Sequence, residues 1–180
     1  MPLPTLHSSR LTLRPWFVED IDELHALWIR PEVRRYLWDD VTITRERAEA
    51  TVREFMAPQE AEGIGGWLLL DRETGAVAGF AALIRREPGD PELMYGVAPE
   101  WWGRGLATEA GRAVMTYAFG VLGCERVTAA TDLPNIASVR VMERLGMQLT
   151  HRGTLNGRET VFYEARREDF VTTGPNTALR

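Results

Sequence analysis

The stretch WWGRGLATEA, Trp101–Ala110, gathers Gly103, Gly105 and Ala107 around Arg104 and runs on into residues that favour helix. Just before it, ELMYGV, Glu92–Val97, reads as a short strand that closes at Ala98, Pro99 and Glu100. A strand that turns through small residues into a helix exposes several backbone N–H groups at the positive end of the helix dipole, a place suited to phosphate. Glycine matters in such a corner because a side chain would hold an anion away from the backbone.

The spacing narrows the ligand. The phosphate loop of nucleotide hydrolases, G-x-x-x-x-G-K-[ST], is absent, and the region contains no lysine. The dinucleotide pattern G-x-G-x-x-G finds its first two glycines in Gly103 and Gly105, but Thr108 takes the third place and the unit sits in mid-chain behind antiparallel strands. On these residues alone a nicotinamide nucleotide and a ligand-free tight turn both stay open.

Working outward, Leu106, Ala110, Ala113, Val114 and Tyr117 make an apolar stripe, so the corner opens a helix that ends near FGVLG. RVTAAT follows as a strand, and NIASVRVMERLGM carries Ile136, Val139, Met142 and Leu145 at helical spacing, with Asn135 at its start and Gly146 at its stop. MQLTHRGTLNGRETVFYEARRED predicts a hairpin turning near NG, and GGWLLLDRETGAVAGFAALIRR another turning at RETG. Toward the N-terminus, RLTLRPW alternates as a strand ended by Pro15; helices are expected from Val18 to Ile29, stopped by Pro31, and from Thr44, as cap, to Met56. The organisation is α+β, with mostly antiparallel strands and one late strand–helix–strand–helix unit.

With 180 residues, 44% of them hydrophobic, the chain buries a real core, and one domain over residues 1–170 with a loose tail over 171–180 is expected. A net charge of −5 and a pI near 5.3 lack the basic footprint of nonspecific nucleic-acid binding. No apolar run approaches the roughly 18 residues of a membrane span, and MPLPTLHSSR lacks the apolar centre of a signal peptide, so no membrane partner and a cytoplasmic location are expected. Cys124, the single cysteine, excludes an internal disulfide and reads as a structural thiol; His7, His25 and His151 are too scattered for a local metal motif.

Taken together, RLTLRPW, WWGRGLATEA and NIASVRVMERLGM resemble the GNAT superfamily of acetyl-CoA-dependent N-acetyltransferases, in the branch of the ribosomal-protein N-terminal acetyltransferases. The resemblance covers nearly the whole chain and implies a mixed, mostly antiparallel sheet flanked by helices, with a splayed strand pair at the cofactor site. The family's pyrophosphate loop R/Q-x-x-G-x-G/A maps to Trp102, Gly103, Arg104, Gly105, Leu106 and Ala107, with Thr108 opening the helix; Trp102 departs from the superfamily's Arg or Gln but fits the form this branch takes. It also implies that the strand before the loop is bulged, so that backbone around Met94, Tyr95, Gly96 and Val97 holds the pantetheine arm and meets the thioester oxygen.

Acetyl transfer to an amine needs a base for the amine, a donor for the carbonyl oxygen and a proton for the departing thiolate. By the same resemblance Glu92 is the candidate base, acting through water. Asn135 caps its helix and reaches the cofactor. Ser138 is the candidate acid, because the tyrosine many members carry one turn later is Met142 here. The implied partners are acetyl-CoA and an amine acceptor, a protein N-terminus or a small amine, with the chain a monomer or homodimer. A module that holds acyl-CoA without transferring it is the competing class. Trp28, Tyr36, Trp38, Trp67 and Tyr95 are candidates for an acceptor pocket or for core, and Glu19, Asp20, Asp39 and Asp40 for attracting a cationic acceptor or for solvated surface.

Overall fold

A computed structural model describes residues 2–85 and 89–170. The tail expected over 171–180 lies outside the described residues. Eight strands form one sheet: β1 (Leu6–His7), β2 (Leu11–Pro15), β3 (Gly65–Asp71), β4 (Val77–Arg85), β5 (Pro91–Val97), β6 (Arg126–Asp132), β7 (Gln148–Leu155) and β8 (Arg158–Arg166). Their order across the sheet is β1-β2-β3-β4-β5-β6-β8-β7, and every neighbouring pair is antiparallel except β5–β6. Helices α1 (Ile21–Trp28), α2 (Pro31–Leu37), α3 (Arg45–Met56) and the single turn α4 (Gln59–Glu62) precede β3; α5 (Leu106–Gly120) joins β5 to β6, and α6 (Ile136–Arg144) joins β6 to β7. The mixed, mostly antiparallel sheet flanked by helices is the architecture the sequence predicts.

The central strands read as unbroken apolar runs because both faces of the sheet are covered. In β3, Trp67 and Leu69 join a core with α5 and α6, while Leu68 joins a second core with α1 and α3. Strand alternation repeats this in β4, where Ala81 and Leu83 face the first core and Phe80 and Ala82 the second. Trp16, Trp28 and Phe80 anchor that second core, with Trp16 at 5.7 Å from Trp28 and 6.2 Å from Phe80 between ring centroids.

Two boundaries differ from the sequence reading. The first expected helix begins with a 3-10 turn at Val18–Asp20, and Pro31 does more than stop it. Arg30 is extended, at φ −61° and ψ 132°, and Pro31 then opens α2. Proline lacks only an N–H that a first helical position leaves unbonded anyway, so the same residue serves as stop and start. Thr44 caps α3 as expected, its hydroxyl accepting from the Arg47 N–H at 3.2 Å, and Asn156 and Gly157, both at positive φ, turn the β7–β8 hairpin.

The sheet leaves no room at Gly96: a Cβ there would overlap the Phe80 ring, which is 1% exposed and boxed in by Trp16 and Trp28. Gly96→Ala should therefore destabilise by about 1–3 kcal/mol, the usual range for overpacking. Urea unfolding should show it as a lower midpoint at unchanged slope, whereas Gly120→Ala, where a Cβ meets nothing within 4 Å, should leave the midpoint unchanged or raise it.

Candidate active site

β5 ends at Val97, a 3-10 turn at Pro99–Trp101 follows, and α5 starts at Leu106. Between them Gly103 and Gly105 hold φ of +74° and +75°, a backbone that L side chains rarely adopt. Gly105 is the N-cap of α5 and has no side chain to spend on the helix. Asparagine and threonine caps on α6 and α3 each take up an N–H of the first turn; glycine leaves the N–H groups of Leu106, Ala107 and Thr108 free of an intrahelical acceptor. A Cβ at Gly103 would meet nothing within 4 Å, so the arch faces open space. Thr108 Oγ1 is buried there and has no hydrogen-bond partner among the described residues.

The flanking side chains brace this arch. Trp102, which departs from the family's Arg or Gln, donates its indole N–H to the Val97 carbonyl at 2.7 Å while its ring stays exposed. Arg104 lays its guanidinium over Trp101, 4.8 Å from the ring centroid. Leu106 is buried in the core, so only its backbone faces the arch.

Beside the arch the sheet opens. β5 and β6 share a single parallel bridge, Glu92 with Thr128, and separate toward their C-terminal ends. The slot is the splayed pair the resemblance implies, but its cause differs. β5 keeps continuous register with β4 from Pro91 to Val97, without a bulge, and the one irregularity nearby falls between Leu69 and Leu70 in the β3–β4 pair. The splay is a divergence of β6 from a regular β5.

The N-terminal turn of α6 spans the mouth of the slot. From the β6 arm, Thr131 Oγ1 accepts from Asn135 Nδ2 at 2.9 Å, and Asn135 Oδ1 accepts the Ser138 N–H at 3.3 Å. From the β5 arm, the Tyr95 hydroxyl donates to the Ser138 carbonyl at 3.1 Å and lies 3.0 Å from Ser138 Oγ. Burial, opposed by the hydrogen bond with Ser138, pushes the Tyr95 phenol up to about 12. Tyr95 thus stays protonated at ordinary pH and acts as a donor.

The structure brings Tyr95, Asn135 and Ser138 into one network and places Trp102–Thr108 beside it, while Glu92 stands apart at the closed end of the slot. Val97 lies five steps along the strand from Glu92, about 16 Å in an extended chain. Met142 is fully buried and belongs to the core. Trp28 and Trp67 are core residues, and among the acids weighed as cation attractors Asp20 pairs with Arg14, Asp39 with Arg158 and Asp40 with Arg34. The sequence reading missed Thr131, whose only signal is a polar side chain ending a strand four residues ahead of a cap.

A family model described as an acetyltransferase (GNAT) domain matches residues 10–148, which contain both the arch and the slot. The chain belongs to the GNAT family of acetyltransferases. An uncharacterized N-acetyltransferase of Bacillus subtilis, YoaA, is 32% identical over 149 residues, covering 81% of this chain and 83% of the relative. Escherichia coli spermidine N(1)-acetyltransferase is 25% identical over 169 residues, covering 87% and 83%. Among solved structures, the ribosomal L7/L12 N-terminal acetyltransferase RimL in complex with coenzyme A superposes with a TM-score of 0.76 at 20% identity, covering 92% of this chain and 98% of that one. This GNAT chain is an acetyl-CoA-dependent N-acetyltransferase. The residues present fit the cofactor: a bare arch of unspent N–H groups with a buried, unpartnered threonine hydroxyl suits a diphosphate. Among the described residues no helix is long and apolar enough to cross a membrane.

Tyr95 supplies a check on the slot. Its folded-state pKa lies above the ordinary value of 10.0, so its contribution to stability is fully present below pH 10 and is lost as pH rises through about 12. Stability measured against pH should fall more steeply above pH 10 in the parent than in Tyr95→Phe, and the two curves should run parallel below it.

Proposed function

We propose that this GNAT enzyme transfers the acetyl group directly to a primary amine in a ternary complex, the thioester entering the slot from the α5/α6 face and the amine from the α1–α3 face. The observation that carries this reading is the two-sidedness of the slot. Tyr95 and Val97 pack with the core under α5 and α6, and Met94 with the core under α1 and α3. Strand alternation puts Glu92 on the Met94 face. The two candidate proton-transfer groups therefore lie on opposite sides of β5, as a reaction needs when donor and acceptor approach from opposite faces.

In this reading the arch of Gly103–Thr108, including Arg104, holds the pyrophosphate, and Tyr95, Val97 and Asn135 border the pantetheine path. Glu92 takes a proton from the incoming ammonium through water. The free amine attacks the thioester carbon, whose oxygen turns toward backbone N–H groups on the slot edge of β5. When the C–S bond breaks, the new amide nitrogen sheds its second proton to solvent, and the sulfur takes a proton from Ser138 Oγ, which Tyr95 steadies and solvent replenishes. The acceptor is a protein N-terminus or a small amine, the classes that the names of RimL and the spermidine enzyme span, and its acetyl donor is a metabolite of the cell interior, which favours a cytoplasmic site of action.

Acetyl-CoA with a panel of N-terminal peptides, polyamines and small amines should release CoA above the blank. The chain carries no lysine, so none of the CoA released can come from acetylation of lysine side chains of the enzyme itself. Glu92→Gln should lower kcat by about 10²–10⁴ with little change in KM for acetyl-CoA, the span general-base catalysis commonly supplies. A Glu92→Gln enzyme as fast as the parent would remove Glu92 from the base role, and an absence of turnover with every amine would sink the transferase reading.

A further inference from the structure

The arch has a tether from a remote part of the chain. At the turn between β1 and β2, Ser8, Ser9 and Arg10 close on Glu109 in the first turn of α5. Glu109 Oε1 accepts from Ser8 Oγ at 2.7 Å, Ser9 Oγ at 2.9 Å and the Arg10 N–H at 2.7 Å, and Oε2 accepts from Arg10 Nε at 2.7 Å. Arg10 Nη2 completes a two-pronged pair with Oε2. Burial alone would raise the Glu109 carboxyl; these hydrogen bonds outweigh it and hold the group below its ordinary range. Arg10, fixed along its length, extends Nη1 to the carbonyl of Arg104 at 2.8 Å, and its Nη2 lies 3.9 Å from where a Cβ of Gly105 would sit.

That carbonyl belongs to the peptide linking Arg104 to Gly105. In a planar trans peptide the N–H points opposite to the C=O, so holding the carbonyl toward Arg10 aims the Gly105 N–H the other way. The peptide turns about ψ of Arg104 and φ of the left-handed Gly105, whose backbone rotates at little steric cost, and Gly103 precedes it by one residue. Nothing in the local sequence prevents it from flipping and presenting an oxygen where a donor is needed. An ordinary surface ion pair is worth little, but here the pair is one corner of a carboxylate with five donors, and its output is an orientation.

We propose that Arg10 is a positioning residue for cofactor binding: through the Arg104 carbonyl it fixes the arch in the orientation that offers N–H groups to the phosphates. The inference rests on the assignment of the arch to the pyrophosphate of acetyl-CoA. It predicts that loss of Arg10 weakens recognition of the phosphates and leaves the slot and its chemistry intact.

The test compares acetyl-CoA with S-acetylpantetheine, which carries the same thioester and arm without the nucleotide, on the full-length parent, Arg10→Met, Arg10→Gln and Arg10→Lys, each checked by thermal melting. Arg10→Met should lower kcat/KM for acetyl-CoA about tenfold or more, through KM, the scale expected for a lost charge-assisted hydrogen bond, and leave kcat/KM for S-acetylpantetheine unchanged. Arg10→Lys, which keeps a cationic donor, should recover part of the loss. If Arg10→Met does not fold, Arg10→Gln carries the comparison. An unchanged KM for acetyl-CoA, or an equal loss with both donors, overturns the positioning role. Calorimetry of the parent with CoA separates the two levels: no binding there overturns the assignment of the arch itself, and the inference with it.

Discussion

Two parallel strands that touch at one bridge leave unpaired backbone groups on both facing edges, and a folded chain tolerates this only where something else separates the strands and takes up those groups. In this molecule the N-terminal turn of α6 bridges the two arms. Thr131 ties it to the β6 arm and Tyr95 ties it to the β5 arm, so the gap between β5 and β6 is spanned by side-chain hydrogen bonds where a ladder would otherwise run. The slot is thus bordered by the first turn of α6 as much as by the strands that line it.

The same economy of partners explains why α5 and α6 begin so differently. Asn135 consumes an N–H of α6 and fixes that helix against the sheet, which suits an element whose task is to hold a gap open. Gly105 consumes nothing at the start of α5, which suits an element that meets an anion. A helix start that follows two left-handed glycines and has no side-chain cap supplies little restraint of its own. Its restraint comes from outside, from the indole of Trp102 on the Val97 carbonyl and from the β1–β2 turn.

Local signals in the sequence carried the fold well. Threonine and asparagine at helix starts, the RETG and NG turns and the alternating cores each leave their mark within a few residues, so Thr44 and Asn135 are legible as caps and the two hairpins as hairpins, whereas α5 begins at Leu106 behind Gly105, two residues before Thr108 where the sequence reading opens it. The arch is legible for the same reason: Gly103, Gly105 and Ala107 lie within five residues. What was illegible is non-local or ambiguous. Pro31 reads as a terminator, because proline is equally at home after one helix and at the start of the next. The implied bulge in β5 is replaced by a divergence of β6, a feature of pairing between segments some thirty residues apart that no single segment records. Ser8 and Arg10 meet Glu109 across about a hundred residues, and nothing in their local pattern announces it.

The acceptor side shows where composition misleads. A net charge of −5 and the acids Asp20, Asp39 and Asp40 suggest a mouth that draws in cations. In the folded chain these carboxylates are committed: Asp20 to Arg14, Asp40 to Arg34, and Asp39, together with Asp132, to Arg158. Asp39 and Asp40 also sit at positive φ, a conformation that short polar residues tolerate better than most, so the loop between α2 and α3 is shaped by the pairing. That loop is thereby fastened to β8 and β6 on the far side of the slot. Charges that fasten two walls together are poorly placed to pull a ligand between them, and at exposed positions their field is screened within about 10 Å. The pairs that bind Asp20, Asp39 and Asp40 thus shape the fold, and their charge is spent on the arginines they meet.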